Sequence, residues 1–577
     1  MVTCVSVLYL PLLLLSLTAI GPDISCHASE VFTALNDIGQ AVAAGRLLAD
    51  ELKGYLVREE DRIQRLRGMI DRLENATQIY SALTNNELDE ERVANPVSVF
   101  LTIIQMASDW SKELSTLFGE SGSASEEESD SSTQKDAPLS QYDEFDSRRS
   151  MFLRLKWYSE MLPGTKDIDG ATDAILRLQQ TYDIPASAVA DGHIINMSES
   201  PKLSDYQCFL LGKYAYDHGQ YARAEEWFRL LLKRIETGNS IQGSPQTVEI
   251  FPLPLEGVLD YLQYSVGRRG HYREALELTK RILKENPNNE NALRSLQFYE
   301  SELVRLHGGE PLPSEEEERS DEDTELAVYQ RLCRTVNTSA VRDPQLICHL
   351  IIPHPYFLVA PVKEEIMQVE PPIVLWHDFV TAAEVEHIQN IARPRLRRAT
   401  VRNPISGKLE TAPYRITKNV WLPDNLTPVT KSINKRIELV TGLSMEESEE
   451  LQVANYGLGG HYAPHFDHAR RRELDAYERK HGNRIATFMV YLTNVPAGGA
   501  TVFTRTGARV QPVERAAVFW YNLHRSGDGD VRSRHAACPV LAGSKWVMNK
   551  WIRERGQEFR HPCLLYRDVP DLTDEDL

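Results

Sequence analysis

Tyr462-Ala-Pro-His465-Phe-Asp467 is the stretch around which the chain is organised, because it places an imidazole and a carboxylate two residues apart. On a β-strand, residues i and i+2 point to the same face, so both side chains are expected to face one metal ion. A second histidine, His535, follows in Arg534-His-Ala-Ala-Cys-Pro539. Two imidazoles and one carboxylate on one side of a metal form the facial triad of non-haem Fe(II) oxygenases, which leaves further coordination positions open.

Lys545 lies ten residues after His535, a spacing that we expect to place it on a hairpin partner strand. An ammonium group there suits a dicarboxylate cosubstrate whose far end needs a cation. A bare His-x-Asp motif occurs by chance in many chains. The ordered set of these three ligands and the lysine is more specific, and it predicts an Fe(II)-dependent oxygenase site.

The sequence around this set is typical of short β-strands. Runs of β-branched and aromatic residues, broken by Gly, Pro and Asn, predict strands over residues 485–495, 501–503, 516–521 and 545–552. Such strands suggest a double-stranded β-helix, a jelly-roll barrel whose interior holds the metal. We expect a helix over Thr381–Ile391 before the barrel, and a catalytic domain over residues 332–566.

The same region contains a dense set of specific sequence motifs. They are Leu451-Gln-Val-Ala-Asn-Tyr-Gly457, Gly498-Gly-Ala-Thr-Val-Phe503, Val518-Phe-Trp-Tyr-Asn522, Arg534-His-Ala-Ala-Cys-Pro539 and Lys545-Trp-Val-Met-Asn-Lys-Trp551. Through these motifs, residues 451–561 resemble the catalytic domain of collagen-type prolyl 4-hydroxylase α subunits. A looser resemblance extends over most of the mature chain. The resemblance implies a multidomain α + β protein with an N-terminal helical, coiled-coil dimerisation segment, an α-helical tetratricopeptide-like peptide-binding domain and the β-helix domain.

The resemblance also implies a reaction. Fe(II) would be held by His465, Asp467 and His535, and 2-oxoglutarate would pair its C5 carboxylate with Lys545. O2 would be consumed while 2-oxoglutarate becomes succinate and CO2 and proline is hydroxylated at C4, in Xaa-Pro-Gly repeats of procollagen or collagen-like chains. L-ascorbate is likewise implied, for rescuing oxidised iron.

Three further features bear on the cosubstrate and substrate. Tyr456 either faces 2-oxoglutarate or only packs. Family members usually carry a histidine eight residues after the lysine, where this chain has Arg553; a guanidinium can pair with a carboxylate but stays charged, which bears on turnover or cosubstrate affinity. The segment Tyr414–Trp421 is similar in sequence to the same family and is expected to form a loop over the substrate.

The beginning of the chain predicts a signal peptide over residues 1–28, with a signal anchor as the alternative. Residues 29–118 predict helices, with a leucine and isoleucine stripe from Leu47 to Leu73. The pattern alone fits a coiled-coil partner helix or an amphipathic helix packed within its own chain equally well. The resemblance favours the pairing of two α subunits.

Residues 150–305 contain an internal repeat. Gly219-Gln-Tyr-Ala-Arg-Ala224 recurs as Gly270-His-Tyr-Arg-Glu-Ala275, the turn of a tetratricopeptide helix pair. Tyrosines are frequent in this region, and the candidates for a concave face are Tyr182, Tyr216, Tyr261 and Tyr264. Aromatic side chains in a groove suit a polyproline II peptide, with plain helix packing as the alternative, and the resemblance favours the peptide.

Charge divides the remaining segments. Residues 119–149 and 306–331 predict flexible acidic linkers, and residues 567–577 an acidic tail. The net charge of −19 argues against nucleic acid as a partner. No second long apolar run follows the first, so no membrane span is expected in the mature chain.

Five cysteines follow the predicted cleavage site. The economical pairs are Cys333–Cys348 and Cys538–Cys563, which the resemblance also implies, and Cys208 is left as a buried thiol. The sequons at Asn75, Asn196, Asn337 and Asn425 are compatible with glycosylation.

The resemblance implies a place in the endoplasmic reticulum lumen and an α2β2 assembly with protein disulfide isomerase as the β subunit. The ending Thr573-Asp-Glu-Asp-Leu577 is a poor retention signal, so a partner that supplies one would fit. Two rival hypotheses remain: a weakly active paralogue that serves as a peptide-binding subunit, and a 2-oxoglutarate oxygenase of a non-collagen secreted protein.

Overall fold

A computed structural model describes residues 35–84, 95–110, 154, 157–158, 162–194, 200–241, 255–306, 324–335, 346–402, 409–470 and 480–564. The predicted signal peptide, the linker over residues 119–149, the acidic tail, and the sequons at Asn196 and Asn337 lie outside these residues. The chain divides into two compact units, Met1–Ile79 and Tyr80–Leu577. Among the described residues, none of the helices combines the length and apolar character that a membrane span requires.

The first unit is built on one long helix, α1 (Leu35–Thr84), which includes Asn75. Its apolar stripe is exposed: Leu47, Leu48 and Leu52 are each more than half accessible to solvent. The predicted helix is confirmed. Pairing with a second copy stays a prediction.

The second unit begins with helices, which in chain order are α2 (Pro96–Ile104, continued by a π turn over Gln105–Trp110), α3 (Thr165–Tyr182), α4 (Ala186–Ala190), α5 (Asp205–Asp217), α6 (Tyr221–Glu236), α7 (Leu255–Arg268), α8 (Tyr272–Glu285) and α9 (Glu290–Arg305). Helices α5 and α6, and then α7 and α8, form the two predicted helix pairs. Gly219 and Gly270 turn the chain with φ of 74° and 86°, conformations that favour glycine. Ala224 and Ala275 are fully buried where the helices approach, which confirms the tetratricopeptide-like prediction.

Three of the four predicted groove tyrosines gather on this module. The ring centroids of Tyr216 and Tyr261 lie 5.0 Å apart, and those of Tyr216 and Tyr264 lie 5.4 Å apart. Tyr264 is 38% exposed. Tyr182 is not among them: it ends α3, and its hydroxyl donates to the backbone oxygen of Pro539 in the catalytic domain. Its assignment to the groove was wrong because the last turn of α3 faces the catalytic domain.

The catalytic domain adds three helices, α10 (Glu325–Arg334), α11 (Ala382–Ala392) and α12 (Pro428–Thr441). Its described strands are β1 (Cys348–Ile351), β2 (Val362–Gln368), β3 (Ile373–His377), β4 (Arg397–Arg398), β5 (Val401–Arg402), β6 (Leu409–Glu410), β7 (Lys418–Leu422), β8 (Leu451–Tyr456), β9 (Tyr462–His465), β10 (Arg484–Tyr491), β11 (Ala497–Gly498), β12 (Thr501–Phe503), β13 (Arg509–Val510), β14 (Ala517–Tyr521), β15 (His535–Ala537), β16 (Val540–Ala542) and β17 (Lys545–Arg553). Thr381 caps α11, where a helix was expected.

The strands form a major sheet with the order β1-β2-β3-β14-β10-β17-β8-β7-β4 and a minor sheet with the order β13-β12-β15-β9. Alternate residues of β10 pack in two different hydrophobic cores, since successive side chains of a strand point to opposite faces. Phe488 packs with α11 and α12 outside the major sheet, whereas Met489 joins Phe503 of the minor sheet between the two sheets. This arrangement confirms the predicted double-stranded β-helix.

Helix α10 corrects one predicted boundary. The end of the proposed acidic linker, residues 324–331, is ordered, and a boundary between residues 331 and 332 would cut α10. The Glu325 carboxylate accepts two hydrogen bonds from the Arg534 guanidinium, at 2.5 and 2.9 Å, and one from the Thr504 hydroxyl at 3.0 Å. An acidic residue of the predicted linker thus anchors α10 beside β12 and β15 of the minor sheet.

The cysteine pairing also differs from the prediction. Cys333 of α10 is bonded to Cys538, with Cα atoms 5.6 Å apart, so the pairs Cys333–Cys348 and Cys538–Cys563 are wrong in this structure. Helix α10 packs on the outer face of the minor sheet, which makes the two bonded cysteines buried neighbours despite 205 residues of separation. Cys348 and Cys563 are exposed free thiols, and Cys208 is a buried thiol as predicted.

Peptide mapping without reduction is therefore expected to recover Cys333 linked to Cys538. Because the bond closes a long loop in the unfolded chain, Cys333→Ser should lower the free energy of unfolding by about 2–4 kcal/mol. Cys348→Ser is the matched control and should leave stability unchanged. Recovery of the two short-range pairs instead would contradict the pairing described here.

Candidate active site

The three predicted metal ligands converge at the minor sheet. His465 and His535 are directly opposed in the antiparallel pair β9–β15. Asp467 lies two residues beyond the end of β9 rather than on the strand, and its oxygens are 3.5 Å from His465 Nε2 and 3.6 Å from His535 Nε2. The ligand atoms all lie within 4.8 Å of one another, close enough to share one ion. Two imidazoles and a carboxylate are the donor set of a non-haem Fe(II) site.

Backbone carbonyls set the tautomer of both histidines. His465 Nδ1 donates to the oxygen of Ala463 at 2.8 Å, and His535 Nδ1 donates to the oxygen of Ser533 at 2.9 Å. Because Nδ1 carries the proton, the Nε2 lone pair of each ring is left for a metal. Burial lowers the pKa of His535 to about 4, so the ring is neutral at pH 7.

Asp467 is held as a carboxylate. Its burial would raise its pKa, but the neighbouring imidazoles of His535 and His465 and the guanidinium of Arg484 hold the pKa well below its usual range. The Thr487 hydroxyl donates to Asp467 Oδ2 at 2.7 Å, and Asn522 Nδ2 donates to Thr487 Oγ1 at 2.9 Å. This hydrogen-bond chain orients the only anionic member of the triad.

Thr487→Val keeps the shape of the side chain but removes that hydrogen bond. Mutation of a residue that hydrogen-bonds to a metal ligand typically lowers metal affinity by about 10–100-fold. We therefore expect the variant to bind Fe(II) at least about tenfold more weakly, as measured by anaerobic equilibrium dialysis. Thr237→Val, at the exposed C-cap residue of α6, is the matched control. Equal Fe(II) affinity in both variants would show that the hydroxyl does not orient Asp467.

A cavity that is partly open to solvent extends from the triad, and its empty space, including the part open to solvent, is about 430 Å³. Lys545 and Tyr456 both line it, and they are paired neighbours on β17 and β8. Strand β17 belongs to the major sheet, so the lysine is not on a hairpin partner of β15 as predicted. It lies instead in the sheet that faces the triad-bearing strands across the barrel.

Lys545 is 1% exposed and makes no ion pair within the described part of the chain. Its Nζ donates to Thr501 Oγ1 at 3.4 Å and lies over the rings of Tyr456 and Tyr491 at 5.6 and 5.5 Å. Burial lowers its pKa to about 7. A buried ammonium that faces a cavity and has no carboxylate partner among the described residues is a site for an anionic ligand.

Arg415 is a second cation of the cavity, and the sequence reasoning did not single it out within the segment Tyr414–Trp421. Its guanidinium donates to Gln452 Oε1 at 3.0 Å and lies 4.8 Å from the ring centroid of Tyr462. The Tyr462 ring in turn stacks on His465, with centroids 3.6 Å apart. The Arg415 guanidinium thus lies over the Tyr462 ring, which itself stacks on the predicted metal ligand His465.

Arg553 does not line the cavity. Its guanidinium donates to Glu449 Oε1 and to the backbone oxygen of Gly482, and Arg484 shares the same carboxylate. The Glu449 carboxylate therefore pairs with the Arg553 guanidinium, which was expected to pair with the cosubstrate. A direct role of Arg553 in cosubstrate binding stays a prediction.

Comparisons with known proteins cover most of the chain. Family models match at residues 35–196 (prolyl 4-hydroxylase alpha-subunit, N-terminal region), 205–305 (prolyl 4-hydroxylase peptide-substrate-binding domain) and 451–553 (2OG-Fe(II) oxygenase superfamily). The chain is 37% identical to human prolyl 4-hydroxylase subunit alpha-1 over 552 residues, covering 92% of this chain and 95% of that protein. It is 36% identical to prolyl 4-hydroxylase subunit alpha-2 of Caenorhabditis elegans over 555 residues, covering 94% and 95%.

Among solved structures, a viral collagen prolyl hydroxylase from Paramecium bursaria Chlorella virus-1 matches with a TM-score of 0.26 and 23% identity. That match covers 31% of this chain and 94% of the viral chain.

Proposed function

Since the chain belongs to the prolyl 4-hydroxylase α-subunit family, we propose that it is a procollagen-proline 4-dioxygenase. It would use Fe(II), 2-oxoglutarate and O2 to hydroxylate C4 of proline in Xaa-Pro-Gly repeats. One observation carries the proposal: a His-Asp-His triad on one wall of the cavity faces Lys545 on the other, a buried lysine that makes no ion pair with any described residue.

The residues of the site fit Fe(II) and 2-oxoglutarate. His465, Asp467 and His535 would hold the ion through two neutral Nε2 atoms and one carboxylate. Bound iron supplies oxidative decarboxylation of 2-oxoglutarate and oxidation of a C–H bond. Lys545 and the Thr501 hydroxyl would hold the distal carboxylate, which fixes the direction in which the cosubstrate lies.

The remaining cavity residues control access to the metal. The rings of Tyr462 and Trp520 and the side chain of Met489 line the cavity, and their apolar surfaces would reduce the access of water to the reacting groups. Arg415 adds positive charge at the same cavity, which favours the anionic cosubstrate. These side chains bind, orient and exclude water.

The substrate peptide would also engage the tyrosine cluster of Tyr216, Tyr261 and Tyr264. Aromatic faces in a groove suit the rigid polyproline II conformation of proline-rich chains, which needs little ordering on binding. The family model for a peptide-substrate-binding domain covers these residues. Their ring contacts and partial exposure support a groove that a peptide can enter.

The cellular setting is part of the proposal. We place the chain in the endoplasmic reticulum lumen after removal of a signal peptide, with protein disulfide isomerase as the β subunit of an α2β2 assembly and L-ascorbate as the reductant for oxidised iron. Asn425 is exposed in a turn, as a glycosylated asparagine must be. Asn75 lies within α1.

The proposal is tested with the chain co-expressed with protein disulfide isomerase. Mass spectrometry should find 4-hydroxyproline in a Pro-Pro-Gly repeat peptide and none in a permuted peptide without proline before glycine. Hydroxylation of neither peptide, while a secreted non-collagen protein is hydroxylated, would overturn the collagen assignment and leave the oxygenase.

A further inference from the structure

Helix α3 lies between the tetratricopeptide-like module and the catalytic domain and binds both. On the module side, the buried amide of Gln179 donates to Glu226 Oε2 at 2.7 Å and accepts from Trp227 Nε1 at 3.1 Å. Ile175 and Leu176 of α3 pack in the same apolar core as the buried residues of α5 and α6. The helix is therefore fixed to the module by both polar and apolar contacts.

The other side of α3 binds the catalytic domain through polar side chains. Arg177 Nη1 donates to the backbone oxygen of Gly459 at 2.7 Å, and the Tyr182 hydroxyl donates to the backbone oxygen of Pro539 at 2.5 Å. Arg334 of α10 adds hydrogen bonds to the backbone oxygens of the last α3 turn. Each bond joins a named side chain to main chain, so the contact fixes the position of backbone segments.

Two glycines let the helix approach this closely. A Cβ added at Gly459, where φ is +60°, would lie 2.8 Å from the Cβ of Ala174. A Cβ added at Gly498 would lie 2.6 Å from the Tyr182 hydroxyl. A side chain at Gly459 would therefore clash with α3 itself, and one at Gly498 would also clash with the Pro539 backbone oxygen that Tyr182 binds.

The segments that α3 binds lead directly to the metal ligands. Gly459 precedes β9, which ends at His465, and Pro539 follows β15, which begins at His535. Tyr182 also packs against the apolar cluster on the outer face of the minor sheet that contains Ala536, the neighbour of His535. The connection from the tyrosine cluster to the triad therefore runs through one helix.

We propose that α3 is a positioning element that holds the tyrosine groove at a fixed place relative to the metal centre, so that one long peptide engages both. Arg177 and Tyr182 are the positioning residues. This inference rests on the proposed function. Two sites on a fixed frame bind a chain that spans them more tightly than either site alone, and the gain in affinity falls when the geometry between the sites is no longer fixed.

The test compares a short Pro-Pro-Gly peptide, which fills only the metal centre, with a long one that also reaches the groove. Arg177→Met and Tyr182→Phe remove the hydrogen bonds and keep most of the packing. We expect each variant to raise KM for the long peptide by about tenfold, with kcat and short-peptide KM within about twofold of the parent enzyme. Arg305→Met and Tyr158→Phe, both at exposed side chains, are matched controls.

A binding measurement separates positioning from damage to the groove. Calorimetry with the iron-free protein reports peptide binding to the groove alone, and the variants should match the parent there. Equal KM changes for short and long peptides, weaker binding in the iron-free protein, or no change at all would each overturn the positioning role. Absence of hydroxylation of any peptide by the parent enzyme would instead reject the proposed function.

Discussion

Asp467→Ala is expected to lower kcat/KM for 2-oxoglutarate by at least about 1,000-fold, a loss typical of removing a central catalytic group. The physical reason is that Asp467 supplies the only negative charge of the triad. Without it, only two imidazoles remain to hold a divalent ion, and Thr487 loses its acceptor. Succinate formation measures turnover, and anaerobic dialysis measures the Fe(II) that the variant retains.

Asp191→Ala is the matched control, since this aspartate is partly exposed on the helical module and pairs with Lys202. It should retain the turnover and the Fe(II) content of the parent enzyme. An Asp467→Ala protein that keeps its circular dichroism spectrum, binds Fe(II) as the parent does and forms succinate at the parent rate would show that the triad is not the metal site.

Lys545→Met is expected to have two opposite effects: loss of 2-oxoglutarate binding and a gain in stability. Removing a charged hydrogen-bond donor to a carboxylate should weaken cosubstrate binding by about 10–100-fold. The ligand-free protein, however, buries an ammonium that has no carboxylate partner in the described chain. A methionine of similar shape relieves that cost, so the apparent midpoint of thermal unfolding should rise at pH 7.

The pH dependence of the stability gain follows from the pKa of Lys545, which falls from 10.5 in the unfolded chain to about 7 in the folded protein. The unfolded state binds more protons between these values, so stability rises with pH there. The penalty of Lys545 is complete below pH 7 and is relieved as the pH rises toward 10.5. The stability difference between variant and parent should therefore be largest near or below pH 7.

Cosubstrate affinity should change in the same range. In the ligand-free parent enzyme, Lys545 loses its charge as the pH rises above about 7. The Kd of 2-oxoglutarate should increase accordingly, whereas that of Lys545→Met should not. Lys363→Met, at an exposed lysine paired with Asp378, is the matched control. A destabilised Lys545→Met protein with unchanged 2-oxoglutarate affinity would contradict the assigned role.

The sequence predicted features whose signals are local or regularly spaced. His465 and Asp467 stand two residues apart, and the repeated Gly-x-Tyr-x-x-Ala turn marks the two helix pairs. The β-branched and aromatic run that forms β10 and the helix expected over Thr381–Ile391 are of the same kind. In each case the physical cause of the structure lies within a few residues, so a single sequence is enough to recognise it.

Other features depend on neighbours that no local pattern announces. Thr487 lies within β10 and Asn522 directly follows β14, and neither stands out in the sequence until Asp467 is placed beside them. Tyr182 was assigned to the groove because nothing in the nearby sequence reveals its contact with Pro539, which lies 357 positions further along the chain. The cysteine pairs were wrong for the same reason, since short sequence separation outweighed the docking of α10 against the minor sheet.

The position of Lys545 shows how a correct residue can be given the wrong neighbour. Ten residues after His535 suggested a hairpin, but β16 intervenes and the chain passes to the major sheet. The lysine then faces the triad from the opposite wall rather than from an adjacent strand. That placement leaves a cavity between cation and metal site, which a hairpin would not.

The most direct test of the proposed activity is the ratio of succinate to 4-hydroxyproline formed from 2-oxoglutarate and a Pro-Pro-Gly peptide by the enzyme co-expressed with protein disulfide isomerase. Equal amounts of both products, and neither product from His465→Ala, are the predicted result. Succinate without hydroxyproline, or hydroxyproline that persists in His465→Ala, would contradict the assignment of this cavity as a prolyl 4-hydroxylase active site.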